Sequence, residues 1–416
     1  MKLVKSALSN NIPILVYISD LFKTTSCCFN SYTKSNKNNF KRGIATSILI
    51  NGTLKYPTLQ KLNVVTDQQF CTYYTGHSTF ADLSRFHSGF SALTDSRIVG
   101  RQNTFENSLE IFSDVLLNPL NKSSSFIRKY FEKEKMMFAN VQKEFYLNKE
   151  QLAYKRFLDN FLQGEEFNIG VGMPEDLEEI TARNSFEEFQ RIKDEYPKNI
   201  IVVTHLDEDL IIRAFDNALG SLPTPKKNVQ VGKPPKKVMD MLIIDDTELF
   251  NQSMVYVGYP LKNIKKRKEI SAMKILNSCI ATEIFEEVRL KRELAYMASA
   301  NYNIYAAYAY GIAGVEPQNV QMTIDSIIGV YDKILKKGLT KASFKAQKKI
   351  IISTHKIKVT NKQYLKSLLF SLAIEDRLGD FENFVDWFSE VSYEDVLEVR
   401  KKFIGQPTAY CLRNTR

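Results

Sequence analysis

Histidine is scarce in this chain. The four present, His77, His87, His205 and His355, each lack a second His or Cys two to five residues away. H-x-x-H, H-E-x-x-H and H-x-x-E-H are all missing, which removes the spacings that put two imidazoles on one helical face for zinc. Also missing are G-x-G-x-x-G, G-x-x-x-x-G-K-[ST] and G-x-S-x-G, so no dinucleotide loop, phosphate loop or nucleophile elbow is legible. Cysteine is sparse and odd in number: Cys27, Cys28, Cys71, Cys279 and Cys411, two of them adjacent, with no C-x-x-C. That pattern suits free thiols in a reducing compartment, so a cytoplasmic protein is expected. No run approaches the ~20 apolar residues of a membrane span. The apolar stretch 12–18 is too short for a leader and carries Pro13, so a soluble chain with no transmembrane segment is expected. Basic and aromatic residues do not interleave, which argues against nucleic acid.

What the chain has is ordinary globular composition, 44% apolar and 25% charged, over 416 residues. That length predicts two domains or two halves. The net charge of +10 is mild for the size. The basic run Lys262-Asn-Ile-Lys-Lys-Arg-Lys268 reads as a solvated turn before a helix, able to touch an acidic partner.

The pattern is organised around Phe285-Glu-Glu-Val-Arg-Leu-Lys-Arg-Glu-Leu-Ala-Tyr296. Met273, Leu276, Ile280, Ile284 and Val288 recur every three or four residues, one face of a helix. The period then becomes two, with Tyr296, Ala298, Ala300, Tyr302 and Ile304 on one side of a strand. Arg289 therefore sits at a helix end and Tyr296 at a strand start. Arginine offers a fork of donors and tyrosine one hydroxyl, the groups that hold a peptide carbonyl or carboxylate. The plainer assignment is a solvated helix-end cation and a core tyrosine.

Elsewhere, strands are predicted over 12–30 and 72–90, and helices over 40–50, from Thr58, and over 105–118. One or two long helices follow over 125–162. Ser185-Phe-Glu-Glu188 reads as a capping box that opens a helix ending before Pro197. A strand at 200–204 and a helix over 208–219 close the first half. The proline- and lysine-rich segment 223–238 lacks apolar periodicity and reads as a linker between 1–222 and 239–416. Beyond it come strands at 241–244, 253–259 and 296–315, then helices over 319–336, 341–355 and 361–374. A last helix starts at Ser392-Tyr-Glu-Asp395, and a strand at 409–412 ends the chain. Ser185 and Ser392 lie 392 − 185 = 207 residues apart, and each box precedes a proline and a strand. Val115-Leu-Leu-Asn-Pro-Leu-Asn-Lys122 resembles Ile334-Leu-Lys-Lys-Gly-Leu-Thr-Lys341 at 341 − 122 = 219. Two matches in one order at nearly one offset predict a duplicated α+β unit.

The duplication, the linker and Val-Arg-Leu-Lys-Arg-Glu-Leu-Ala-Tyr resemble the insulinase/pitrilysin family of zinc metallopeptidases over residues 10–412. In that family an arginine and a tyrosine seven residues apart lie in a segment like L-R-E-K-R-G-L-A-Y. Arg289 and Tyr296 match it, with Glu293 at the glycine position. The resemblance implies two tandem α/β sandwich halves of the LuxS/insulinase-like metalloenzyme type, forming half of a clamshell, with Arg289 and Tyr296 on bound peptide. The first half resembles the family with its metal site missing. Asn51-Gly-Thr-Leu-Lys-Tyr-Pro57 matches the segment after H-x-x-E-H, which places Gly43 and Ser47 at the histidines and Thr46 at the general base. Phe131-Glu-Lys-Glu134 matches the start of the helix with the third ligand. That ligand falls at Val141, or at Gln142 with a slip of one residue. These side chains cannot hold zinc or take a proton from water at neutral pH, so no metal and no cofactor are expected.

The resemblance is strongest to non-catalytic members in Gram-positive bacteria linked to elongation factor P modification. It implies a peptide-binding subunit of a heterodimeric peptidase, whose catalytic H-x-x-E-H partner holds the zinc and whose ligand is a peptide or unfolded polypeptide. A purely structural subunit and an accessory role in maturing a ribosomally made peptide are the alternatives. Chemistry relocated to His77 and His87, with Ser78 and Asp82 nearby, is a further reading.

Overall fold

The computed structural model describes residues 1–95, 103–163, 167, 175–224, 229–238, 242–248 and 252–414. Residues 225–228 of the expected linker and Met241 of an expected strand lie outside them. The main strands are β1 Lys2–Ala7, β2 Pro13–Ile18, β3 Thr24–Lys34, β4 Cys71–Phe80, β5 Leu83–Leu93, β6 Lys198–Thr204, β7 Leu242–Glu248, β8 Ser253–Pro260, β9 Ala295–Asn303, β10 Tyr308–Val315 and β11 Thr408–Asn414. The main helices are α1 Asn39–Ile48, α2 Leu59–Gln68, α3 Thr104–Leu117, α4 Arg128–Leu147, α5 Lys149–Phe161, α6 Ala182–Asp194, α7 Glu208–Leu219, α8 Arg267–Ile284, α9 Val320–Lys337, α10 Lys341–Lys358, α11 Lys362–Ile374 and α12 Tyr393–Val399.

The chain forms two compact units that are not contiguous in sequence. The first is Met1–Lys143, Val171–Val231 and Val359–Leu378; the second is Glu144–Gly170, Gly232–Lys358 and Gly379–Arg416. Their sheets repeat one topology. In the first the order is β1-β2-β6-β3-β5-β4, and in the second β9-β10-β8-β11-β7. Read from the other edge, the second follows β2-β6-β3-β5-β4 strand for strand. The parallel pair matches too: β2 with β6 in one sheet, β7 with β11 in the other. The duplicated α+β architecture expected from the sequence is thus present in the pairing pattern itself.

In the first unit α1, α3, α6 and α7 cover one face of the sheet. Phe90 meets Phe105 and Phe112 of α3 there, at ring separations of 6.2 and 5.8 Å. The other face takes α11. Lys366 of α11 is buried and its Nζ donates to Ser26 Oγ at 2.7 Å and Tyr74 Oη at 2.6 Å. Burial lowers the pKa of this lysine, because the charged form loses water. Arg85 stacks its guanidinium 3.9 Å from the centre of the Phe370 ring on the same helix.

In the second unit α8, α9, α10 and α12 build the main core against one face of the sheet. The other face takes α5, through a layer of aromatic side chains. Phe157 stacks on Tyr256 at 5.3 Å, and the Tyr154 and Tyr308 hydroxyls share a 2.6 Å hydrogen bond. Gly258 allows this approach: a Cβ there would lie 2.6 Å from Phe157 Cζ.

One sequence expectation is corrected. Ser185 does not cap α6. Thr181 does, in a reciprocal capping box with Asn184, and Ser185 lies inside the first turn, buried. The later box is as expected, with Ser392 and Asp395 reciprocally bonded. The caps are therefore 392 − 181 = 211 residues apart, close to the 407 − 197 = 210 between the prolines that precede β6 and β11.

Candidate functional site

The positions at which the family resemblance puts zinc ligands lie on α1 and α4. Gly43 and Thr46 are buried on α1 and Ser47 is half-buried. Neither hydroxyl is available: Thr46 Oγ1 donates to Arg42 O at 2.6 Å and Ser47 Oγ to Gly43 O at 3.1 Å. Space above Gly43 is filled from α4, where a Cβ on the glycine would meet Phe138 Cε2 at 2.8 Å. Val141 faces away, 52% exposed. Gln142 is the buried residue, in helical phase with Phe131, Glu134 and Phe138. Glu134 is the one carboxylate on that face, and it accepts from Asn51 Nδ2 at 3.0 Å.

Below α1, Arg42 and Glu188 form a buried ion pair at 2.8 Å, and Glu188 also accepts from the Tyr196 hydroxyl at 2.8 Å. Around α1 stand an amide, hydroxyls already bonded to carbonyls, an aromatic ring, and the carboxylates of Glu134 and Glu188, which are engaged by Asn51 and by Arg42 and Tyr196, a set that does not fit zinc. Among the described residues no three His, Cys, Asp or Glu side chains cluster in a way that could hold a metal ion.

His77 and His87 do not form a substitute centre. His77 pairs across the strands with Phe86, and His87 with Gly76. Consecutive strand residues point to opposite faces, so the two imidazoles sit on opposite sides of the sheet. His77 Nε2 is 2.7 Å from Ser84 Oγ. Asp82, the nearby carboxylate, is paired with Lys34. His355 is buried on α10, with Nε2 2.6 Å from Phe384 O.

Arg289 and Tyr296 occupy a different setting. After α8 the helix widens into a π-helical segment, Phe285–Lys291, that contains Arg289. It ends on Glu293, whose φ of 52° is left-handed, and the Leu294 amide bonds back to Val288 O at 2.9 Å. This is a Schellman-type stop widened by the π turn, with Val288 and Leu294 both buried beneath it. A left-handed C′ residue is usually glycine, which gives a physical reason for the family's glycine where Glu293 stands.

Ala295 pairs with Val315 and Met297 with Gly314, so Tyr296 is the extra residue of a β-bulge. The strand alternation expected to carry Tyr296 inward fails at this point. Ala298 and Ala300 join the core, while Tyr296 is turned out, 65% exposed. Arg289 is exposed as well, its guanidinium 5.2 Å from the centre of the Phe285 ring. Lys291 and Arg292 both engage Glu287, at 3.4 and 2.7 Å, and the hydrogen bond from Arg292 holds the Glu287 carboxyl below its ordinary pKa. Among the described residues, Arg289 and Tyr296 have no hydrogen-bond or ion-pair partner. Phe138, the Arg42–Glu188 pair and the bulge went unread in the sequence. The only local hint was a glycine inside a helix, which often marks close packing.

Residues 197–351 match the family described as "Peptidase M16 inactive domain". The protein "Probable inactive metalloprotease YmfF" of Bacillus subtilis (strain 168) is 21% identical over 410 residues, covering 95% of this chain and 94% of that protein. The fold matches the peptidase M16 inactive domain from Pseudomonas fluorescens with a TM-score of 0.84 at 12% identity, covering 100% of this chain and 99% of that one. It also matches the periplasmic protease PqqL from Escherichia coli, with a TM-score of 0.78 at 12% identity, over 99% of this chain but 45% of that one. The fold is that of these peptidase-like proteins, and the positions on α1 and α4 to which the resemblance points carry no set of zinc-binding side chains. The chain is similar to proteins described as inactive members of the M16 peptidases, by family model over residues 197–351 and by fold over its whole length. Among the described residues no helix is long and apolar enough to cross a membrane.

Proposed function

We propose that this chain is the peptide-binding subunit of a two-subunit zinc peptidase. A catalytic partner with H-x-x-E-H holds the metal, and Arg289 and Tyr296 from this chain grip the backbone of a peptide or unfolded polypeptide beside the bond to be cut. The observation that carries the reading is a contrast within one molecule. The residues around α1 are packed and bonded among themselves, whereas Arg289 and Tyr296 are exposed, without a hydrogen-bond or ion-pair partner among the described residues, on a π segment and a bulge, both of which recur at functional positions. A guanidinium and a phenol are suited to the carbonyl oxygen of an extended peptide, most of all as it gains negative charge during attack.

This chain spans about half the length of PqqL, which supports an assembly completed by a second chain of the same fold. All five cysteines are buried free thiols, which supports a reducing, cytoplasmic setting. The test is co-purification with an H-x-x-E-H homologue from the same organism, followed by peptide cleavage. Arg289→Ala should lower turnover by about 10²-fold, in line with loss of one transition-state donor, while the complex elutes unchanged. Full activity in Arg289→Ala would remove the role assigned here, and no affinity for extended peptides would leave a scaffold.

A further inference from the structure

α10 has one face in the core and an unusual face outside it. Phe344, Ile351 and His355 are buried on the inner side. On the opposite side Ala342, Ala346, Ile350, Ser353 and Ile357 line up at intervals of four, four, three and four, and all are exposed. Ile350 and Ile357 are 56% and 71% exposed, among the most solvent-exposed aliphatic side chains of the chain. The helix carries six lysines and no aspartate or glutamate. Lys345, Lys349 and Lys356 run along one flank of the apolar line, with no ion pair among the described residues.

We infer that this face of α10 docks an acidic amphipathic helix of a partner protein. The spacing is that of a helix–helix seam, in which an apolar line packs and the flanking charges choose the partner. Alanines at 342 and 346 let a second backbone come close at that end, and the isoleucines supply the packing at the other. Charge fixes the chemistry of the occupant. Three flanking lysines without an ion pair among the described residues call for carboxylates. They also exclude a second copy of this chain through the same face, since lysine would meet lysine. A lipid surface fits less well, because an interfacial helix needs a broad face of Trp, Phe or Leu, and here the line is one residue wide and three of its five residues are alanine or serine.

The probe is a fluorescent synthetic helix of about three heptads, with leucine at its seam and glutamate on both flanks. It is titrated into the full-length chain at low and at roughly physiological ionic strength. A scrambled peptide of equal composition and vesicles of mixed phosphatidylserine and phosphatidylcholine are run alongside. The expected result is binding of the helix about tenfold or more tighter than the scramble, weakened by salt. Ile350→Asp with Ile357→Asp should abolish it without shifting the thermal midpoint, since both positions are solvent-exposed. Reversal of the flank, Lys345→Glu with Lys349→Glu and Lys356→Glu, should transfer the preference to a lysine-flanked probe. Equal binding of helix and scramble, binding of vesicles in place of the helix, no binding, or binding that survives the isoleucine changes would each overturn the inference.

Discussion

The ring of Phe138 stands where a side chain on Gly43 would have to go: a Cβ on the glycine would lie 2.8 Å from Phe138 Cε2. An aromatic ring is thus lodged against the helix on which the family resemblance would place zinc ligands. Gly43→His should destabilise the chain by about 1–3 kcal/mol, the usual cost of overfilling a packed site. Phe138→Ala in the same background should recover much of that, a coupling that a double-mutant thermal-melt cycle reads directly. Gly43→His, Thr46→Glu, Ser47→His and Gln142→Glu together should fail to retain zinc through dialysis while Phe138 is present. Stoichiometric metal in that variant would show that the ring is no obstacle.

Arg42 and Glu188 join α1 to α6 through a pair with almost no solvent contact, their side chains 5% and 2% exposed. Removing one partner leaves the other charge buried alone. Glu188→Ala should cost about 3–5 kcal/mol. Lys401→Ala, which breaks the exposed pair with Glu398, should cost less than about 1 kcal/mol. Thermal midpoints of the two variants compared with the parent chain check the contrast.

Much of the architecture was legible because packing leaves a periodic trace. Phe105, Leu109, Phe112, Val115 and Leu116 announced α3, and all five are buried on it. The Ser392 box, the helix over 208–219 and the strands within 296–315 were readable for similar local reasons. Three features were not. The Ser185 box lost to Thr181 and Asn184 four residues upstream, because a cap pattern can occur twice within one helical turn and only the backbone chooses. The bulge at Tyr296 left no mark, since one extra residue leaves the alternation intact on either side of it. Nor does anything in α5 or α11 say which sheet it will cover. Each is apolar on the side that packs, and each packs in the unit assembled mainly from the other half of the chain.

Glu293 is held at a φ of 52°, a conformation that a residue with a Cβ adopts at a cost. Its side chain has no partner among the described residues, so little opposes its removal. Glu293→Gly should stabilise the chain by about 0.5–1 kcal/mol, the relief of left-handed strain less the extra freedom glycine has when unfolded. Glu293→Val should lose more than that. A thermal midpoint for glycine at or below that of the parent chain would mean that the glutamate contributes something beyond its backbone.

The sheet of the first unit should also make the chain acid-sensitive. Burial lowers the pKa of His77 to about 3, with the charges of Arg42 and His87 adding to the effect. Burial likewise lowers His87 to about 4, helped by Arg85 and Lys366. Both rings are neutral when folded and take up protons on unfolding below their ordinary value near 6.5. In that window the unfolded chain binds more protons, so stability falls as the pH falls. The contribution is fully present above about pH 6.5 and is lost progressively toward pH 4 and then 3. By about pH 5 each histidine should account for roughly 1–2 kcal/mol, nearer the lower figure because both rings are partly solvent-exposed. Carboxylates titrate in an overlapping range, so the readout is the difference between chains. His77→Gln and His87→Gln should each flatten the slope of stability between about pH 7 and pH 5, and the double variant should flatten it further. Parallel slopes for the parent chain and the double variant would place the acid sensitivity in other groups.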